Sequence, residues 1–498
     1  MLFNSFGFFV FLPIVLIIYY IIPPKVRYLW LLAASYFFYM CWNAKYVVLL
    51  LGSTVVTYIS GLVLEWIKKQ DWSEVRICRW KKTCVAASFV INLSILFVFK
   101  YFNFVIETIS EILAVFRADV NFTVVNLLLP VGISFYIFQA LSYTVDVYRD
   151  EIYAEKNFFR YALFVSFFPQ LVSGPIERSK NLLKQINTMP TATGEDVRDG
   201  ILLMIWGFFQ KIVIADRIGI FVDTIYGNYA EYTGWYYIVA TVLFAFQIYC
   251  DFAGYSIIAM GTAKLMGFRL MENFNAPYLA KSVSEFWRRW HISLSSWFMD
   301  YLYIPLGGNR KGIARKQMNK LIVFAVSGLW HGANWTFVIW GLLNGLYQVV
   351  ADVLKPIRNK VKKICGVNEK SIGYKIVAVV CTFIMVDISW LFFRANDIEQ
   401  AMYMLKSIFT AHNLWILLDG SLYTCGLDSK NFMLMLLAIG VLLVADMCKY
   451  KGITIRKYIE QQDGWFRWLF YAMTITFILL TGIWGTEYNE ANFIYFQF

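Results

Sequence analysis

The sequence predicts an all-α, polytopic membrane protein of about ten or more transmembrane helices, with some apolar segments that enter the bilayer without crossing it. Three observations carry this. Of its 498 residues, 59% are hydrophobic, 19% aromatic and only 16% charged, a balance too apolar for a soluble globule. The apolar residues come in runs close to the roughly 20 that a spanning helix needs. The formal charge of +12 falls in short Lys/Arg stretches between those runs, so it reads as loop charge on one membrane face and not as a nucleic-acid surface.

Taken in order, the first apolar run extends from near Met1 to Ile22 without a basic leader or a small-residue cleavage site, which predicts a retained first span. Lys25 and Arg27 follow it and place that loop in the cytoplasm. Spans near 28–43 and 46–66 lead to a second basic loop with Lys68, Lys69, Arg76, Arg79, Lys81 and Lys82. A span near 84–101 then reaches an outer acidic patch of Glu107, Glu111 and Asp119, and the next returns through 122–148. Later spans fit 199–226, 235–266, 376–394, 431–448 and 467–484, with Glu487 and Glu490 outside.

This alternation of loop charge holds only if two apolar segments do not cross completely. One is 158–173, which ends in the Pro169 to Pro175 stretch. The other is 321–354, basic at both ends, which reads either as a tilted span or as two half-helices turning near Gly332-Ala-Asn334. Non-helical backbone at membrane depth is tolerated only beside protein or a water-filled cavity, so a break there would set His331 on a cavity. No repeat or linker divides the chain, which is read as a single integral-membrane domain, 1–498.

Several chemistries are excluded by spacing. The eight cysteines are scattered without a Cys-x-x-Cys, there is no His-Glu-x-x-His, no P-loop, and no Gly-x-Ser-Gly around Ser173 or Ser327. No metal site is expected. Only three histidines occur: His291, His331 and His412. Proton transfer near neutral pH therefore has few places to happen.

His331 lies in an apolar segment, where an ionisable group costs a few kcal/mol and is functional by default, the alternative being a histidine satisfied by a neighbouring helix. A neutral imidazole there can take a proton from a hydroxyl as it attacks an acyl carbonyl. Asn334 would support the developing oxyanion, and Ser327, four residues earlier, is a further polar group unless it bonds its own helix backbone. In the run from Lys281 to Asn309, Glu285 and Arg289 are spaced to pair, while Arg288 and His291 would share a helical face. Trp287, Trp290, Trp297, Tyr301 and Tyr303 suit a membrane interface. This is either an interfacial ledge whose arginines hold a phosphate-bearing ligand or an amphipathic helix with aromatic anchors.

Mid-span, Asp251 would orient a histidine, line a polar path or pair with a buried arginine. Lys211, Asp216 and Arg217 would pair or mark a kink in the 199–226 span. Arg394 would snorkel from a span end. His412 receives no role.

The longer strings carry a resemblance. They are Leu129-Pro-Val-Gly-Ile-Ser-Phe-Tyr136, the Tyr143 to Arg149 run, the Phe167 to Arg178 run, the Tyr249 to Ser256 run and Asn275-Ala-Pro-Tyr278. Ser284-Glu-Phe-Trp-Arg-Arg-Trp-His291, the Gly328 to Trp335 run and the terminal Phe493 to Phe498 complete them. Together they resemble the membrane-bound O-acyltransferase (MBOAT) superfamily, in its bacterial alginate O-acetylation branch, related to the D-alanyl transfer protein of teichoic-acid modification. The family core would cover roughly 125–400.

The resemblance implies a ring of tilted helices around a thinned centre with a tunnel, His331 as the intramembrane catalytic histidine and His291 as the second motif histidine. It implies no bound cofactor. The donor would be acetyl-CoA, or an acyl-carrier thioester, held at the cytoplasmic face by Arg288 and Arg289 with Trp287 and Trp290. The acceptor would be an extracytoplasmic polysaccharide, reached directly or through a hydrolase-like partner, in a multi-pass protein of the bacterial cytoplasmic membrane. D-alanyl transfer, docked on basic faces such as Lys355–Lys363, and a glycan or lipid transporter are the alternatives.

Overall fold

The computed structural model describes residues 1–116, 129–172 and 174–484. Asp119, the 122–128 stretch, Glu487, Glu490 and the Phe493 to Phe498 string lie outside the described residues. Every regular element among those described is helical. Seven helices are long and apolar enough to cross a membrane: Ala44–Lys68, Glu74–Val115, Trp235–Leu265, Trp335–Val353, Ile372–Arg394, Ser429–Tyr450 and Gly464–Thr481. Phe6–Ile21 is a shorter apolar helix. The protein is a multi-pass membrane protein of all-α class.

The chain divides into two compact units, one of residues 1–204 with 256–271 and the other of 205–255 with 272–498. In the first unit, polar groups buried between apolar helices find one another. Ser53 donates to Asn92 at 2.5 Å and Tyr161 donates to Thr57 at 2.7 Å. Lys68, at the end of its helix, and Lys81, in the opening turns of the next, both pair with Asp150. The 158–173 segment is a nine-residue helix, Phe158–Ser166, then a single turn, Phe168–Leu171. At 1.5 Å per residue the longer piece is roughly 14 Å, far short of the bilayer, as the loop charges required.

One expectation is corrected here. The basic stretch Arg76 to Lys82 is not a loop but the opening turns of a helix that continues for 42 residues, through a π-helical segment at Phe97–Tyr101 and past Glu107 and Glu111. Nothing in Arg76 to Lys82 breaks a helix, and their long side chains suit one as well as a loop. Charge marks where such a helix leaves the lipid, not where it ends.

In the second unit, 321–354 resolves as a hairpin. Gly312–His331 and Trp335–Val353 are joined by Gly332, Ala333 and Asn334. The arms touch through glycines: a Cβ on Gly341 would lie 2.2 Å from the Phe324 carbonyl oxygen, and one on Gly328 2.3 Å from that of Phe337. Small residues that let helix backbones meet replace the hydrophobic drive that lipid cannot supply. At the base of the hairpin, Lys316 and Lys320 reach Asp352 at 2.6 and 2.7 Å. Gly341→Val is expected to destabilise the protein by about 1–3 kcal/mol through overpacking, read as a lower Tm in detergent. Gly440→Val, where a Cβ meets nothing within 4 Å, should leave Tm unchanged.

Candidate active site

His331 is the last residue of the first hairpin arm, 4% exposed. The helix rise puts it roughly 16–22 Å along the axis from Lys320 and Lys316. Aromatic rings wall it. Trp330 and Trp340 lie 5.0 Å away between centroids and Phe393 5.4 Å, all edge-on. Trp340 stacks on Trp390 at 5.7 Å. The wall therefore comes from both arms of the hairpin and from Ile372–Arg394.

The second histidine meets it there. His291 is fully buried, with its ring centroid 6.4 Å from that of His331 and 4.6 Å from Phe252. The sequence brings it in by an unusual backbone turn. Val283–Arg289 is a short helix begun by Ser282, whose hydroxyl accepts from the Glu285 amide, while Glu285 accepts from Lys281. Ile292–Phe298 is the next helix, and His291 caps it in the left-handed region at φ 44°. A non-glycine side chain in that region is uncommon and strained, and such residues cluster at functional sites. Burial drives the His291 pKa down to about 3, so the ring is neutral.

That turn overturns the reading of Lys281–Asn309 as one helical ledge. Arg288 and His291 do not share a helical face, because the helix stops at Arg289. Arg288 is exposed. Arg289 does pair with Glu285, at 2.9 Å, and also donates to the Asn275 carbonyl and covers the Tyr450 ring, so its guanidinium braces the fold. Trp287, Trp290, Trp297 and Tyr303 are buried and Tyr301 partly so, which corrects their placement at an interface. Trp287 donates to Asn344 and packs on Trp340, and Trp290 lies 5.0 Å from Trp390. Both tryptophans pack into the wall around the histidines.

The supporting residues also divide. Ser327 is buried one turn before His331. Asn334 caps the second arm, accepting from the Thr336 amide at 3.0 Å and donating to the Asn396 carbonyl at 2.8 Å. Asp251 is paired with a lysine, not an arginine: Lys211 Nζ lies 2.6 Å from it and 2.7 Å from Asp216. Lys211 sits in a π-helical stretch, Phe209–Ala215, so the expected kink is present as a bulge. Arg394 pairs with Asp223 at 2.6 Å. Sequence reasoning missed Asn273 and Ser293, which contact His291, and the Trp340, Trp390 and Phe393 wall. The string Asn273-Phe-Asn275 beside a proline was the available signal for the first of these.

A model of the membrane-bound O-acyltransferase family matches residues 19–393. The chain belongs to this family. The enzyme is accordingly an MBOAT acyltransferase, which decides against a transporter. A probable alginate O-acetylase of Pseudomonas putida is 38% identical over 416 residues, 82% of this chain and 80% of its own. The peptidoglycan O-acetyltransferase of Helicobacter pylori is 33% identical over 440 residues, 82% and 80% of the two chains. The teichoic acid D-alanyltransferase of Streptococcus thermophilus is 29% identical over 299 residues, 55% of this MBOAT chain and 70% of its own.

Proposed function

We propose that this enzyme transfers an acetyl group from a cytoplasmic thioester, acetyl-CoA, to hydroxyls of an extracytoplasmic polysaccharide at a bacterial cytoplasmic membrane. An extracytoplasmic hydrolase-like partner would complete the delivery. The observation that carries the reading is the meeting of two buried imidazoles at the tip of a hairpin whose base is lysine-rich. Relatives named for alginate and peptidoglycan O-acetylation support the acetyl group and the glycan acceptor.

In this mechanism His331 accepts the hydroxyl proton as the oxygen attacks the thioester carbonyl. The tetrahedral intermediate collapses, the carbon–sulfur bond breaks, and the proton passes from His331 to the departing thiolate. The aromatic wall excludes water, which protects the thioester from hydrolysis and strengthens each polar contact. Asn334 keeps its capping role and is not assigned to the oxyanion. Arg288 is the arginine of the pair whose charge faces solvent, so it is the one offered to donor phosphates.

The test is acetyl transfer by the purified enzyme in liposomes, with labelled acetyl-CoA inside and a polysaccharide acceptor outside. Label on the glycan only when the donor is inside supports the direction as well as the donor. Arg288→Gln is expected to raise KM for acetyl-CoA roughly 2–5-fold, the worth of one exposed charge contact of up to about 1 kcal/mol, with kcat unchanged. A second reading has a specific observation behind it. The helix Lys355–Ile364 is exposed and carries five basic residues, a face suited to an acidic acyl-carrier protein. Transfer that needs a D-alanyl carrier and ignores acetyl-CoA would select it.

A further inference from the structure

We propose that Asn273 is a positioning residue that holds His291 in its Nδ1–H tautomer and leaves Nε2 as the proton-accepting atom of that ring. The consequence for catalysis rests on the reading of the two imidazoles given above, whereas the tautomer itself does not.

The argument begins with the orientation of the Asn273 amide, which is 1% exposed. The backbone N–H of Ser293 points at Asn273 Oδ1 at 3.2 Å, and the Ser293 hydroxyl donates to the same atom at 2.9 Å. A backbone N–H can only donate, so the amide oxygen and not its nitrogen occupies that position. His291 Nδ1 lies 3.1 Å from this oxygen. Two lone pairs facing each other at that distance would repel, so Nδ1 carries the hydrogen. Ser293 Oγ, 3.4 Å from Nδ1, has its own hydrogen directed at Oδ1 and does not compete.

The backbone reinforces the clasp. The Ile292 amide donates to the Asn273 carbonyl and the Asn275 amide to the Arg289 carbonyl, each at 2.9 Å. These two bonds bracket the left-handed residue on both sides, so the 273–275 strip holds the turn and selects the ring's tautomer together. A neutral imidazole has one N–H. Once that hydrogen is directed at Asn273, His291 cannot donate to an oxyanion and can only accept through Nε2. It would accept from the N–H of His331, the other titratable ring beside it, as that ring takes up the hydroxyl proton. The positioning group is an amide and not a carboxylate, so it orients the imidazole without promoting its protonation.

The chain's few histidines make this measurable. In 15N-histidine-labelled protein in liposomes, the exposed His412 can be removed as His412→Gln and His331 assigned through His331→Gln. Magic-angle-spinning NMR of the protein with native Asn273 should then show a pyridine-type Nε2 and a hydrogen-bearing Nδ1 at His291. A hydrogen-bearing Nε2 there overturns the proposal, and this measurement needs no variant at 273. Asn273→Ala should lose the single tautomer, and an unchanged spectrum in that variant also counts against the clasp. Asn273→Asp places a carboxylate on Nδ1, and should raise the pH at which the His291 15N signals report protonation by about 1–3 units as the ring's protonated form is favoured. A His291 titration unchanged in Asn273→Asp would overturn the positioning role. Full acetyl transfer by His291→Ala would instead remove this ring from the chemistry while the tautomer assignment stood.

Discussion

Replacing His331 by glutamine is expected to lower acetyl transfer by roughly 10²–10⁴-fold, the usual loss when a general base is removed. Glutamine is close in size to histidine and keeps polar atoms in the cage, so the rings of Trp330, Trp340 and Phe393 retain a neighbour to pack on. It cannot take the hydroxyl proton. The variant should therefore insert, elute as a single species and melt near the wild-type temperature while its turnover collapses. Rates are to be compared in the liposome assay at saturating acetyl-CoA, so that the deficit appears in kcat. His331→Ala should be equally inactive and less stable, because it leaves a cavity among large rings. Near-normal turnover by the glutamine variant would remove His331 from the chemistry.

Much of this architecture is legible in the sequence because lipid imposes strong rules. Apolar runs of the right length became helices within a few residues of their expected bounds, as at Ile372–Arg394 and Ser429–Tyr450. The basic ends of 321–354 pointed to a segment that returns to the face it left, and Gly332-Ala-Asn334 marked where its helices part. Composition could not separate a basic loop from the basic start of a helix, hence the misplacement of Arg76 to Lys82. Nor does residue spacing reveal a left-handed turn at a histidine. The turn at His291 depends on a strip of chain, 273–275, whose hydrogen bonds form only on folding. Tryptophan was the other misleading signal. It suits an interface or a core equally, and here Trp287 and Trp290 went to the core because Asn344 and the rings of Phe286 and Trp390 complete their surroundings. At the candidate site, the two histidines could be named in advance, whereas what orients and encloses them is a product of tertiary packing.

Lys211→Met is expected to cost about 3–5 kcal/mol of stability, the largest loss foreseen for a residue outside the histidine site. Its ammonium is 1% exposed and lies within 2.7 Å of both Asp216 and Asp251, themselves nearly inaccessible. Removing the cation strands two carboxylates where water cannot reach them, and breaking a buried pair is far costlier than never having built it. The asymmetry supplies the control. Lys211→Met combined with Asp216→Asn and Asp251→Asn should recover most of the lost stability, since uncharged amides can still bond in place. The same charges hold the Phe209–Ala215 bulge against Trp235–Leu265 at Asp251, one residue before the Phe252 ring that covers His291. Loss of Lys211 should therefore lower turnover as well as Tm, and the triple variant should regain both. Thermal unfolding by tryptophan fluorescence in detergent, run beside the transfer assay, reads the two effects together. A Lys211→Met protein as stable as wild type would show that these carboxylates do not depend on the lysine for their burial.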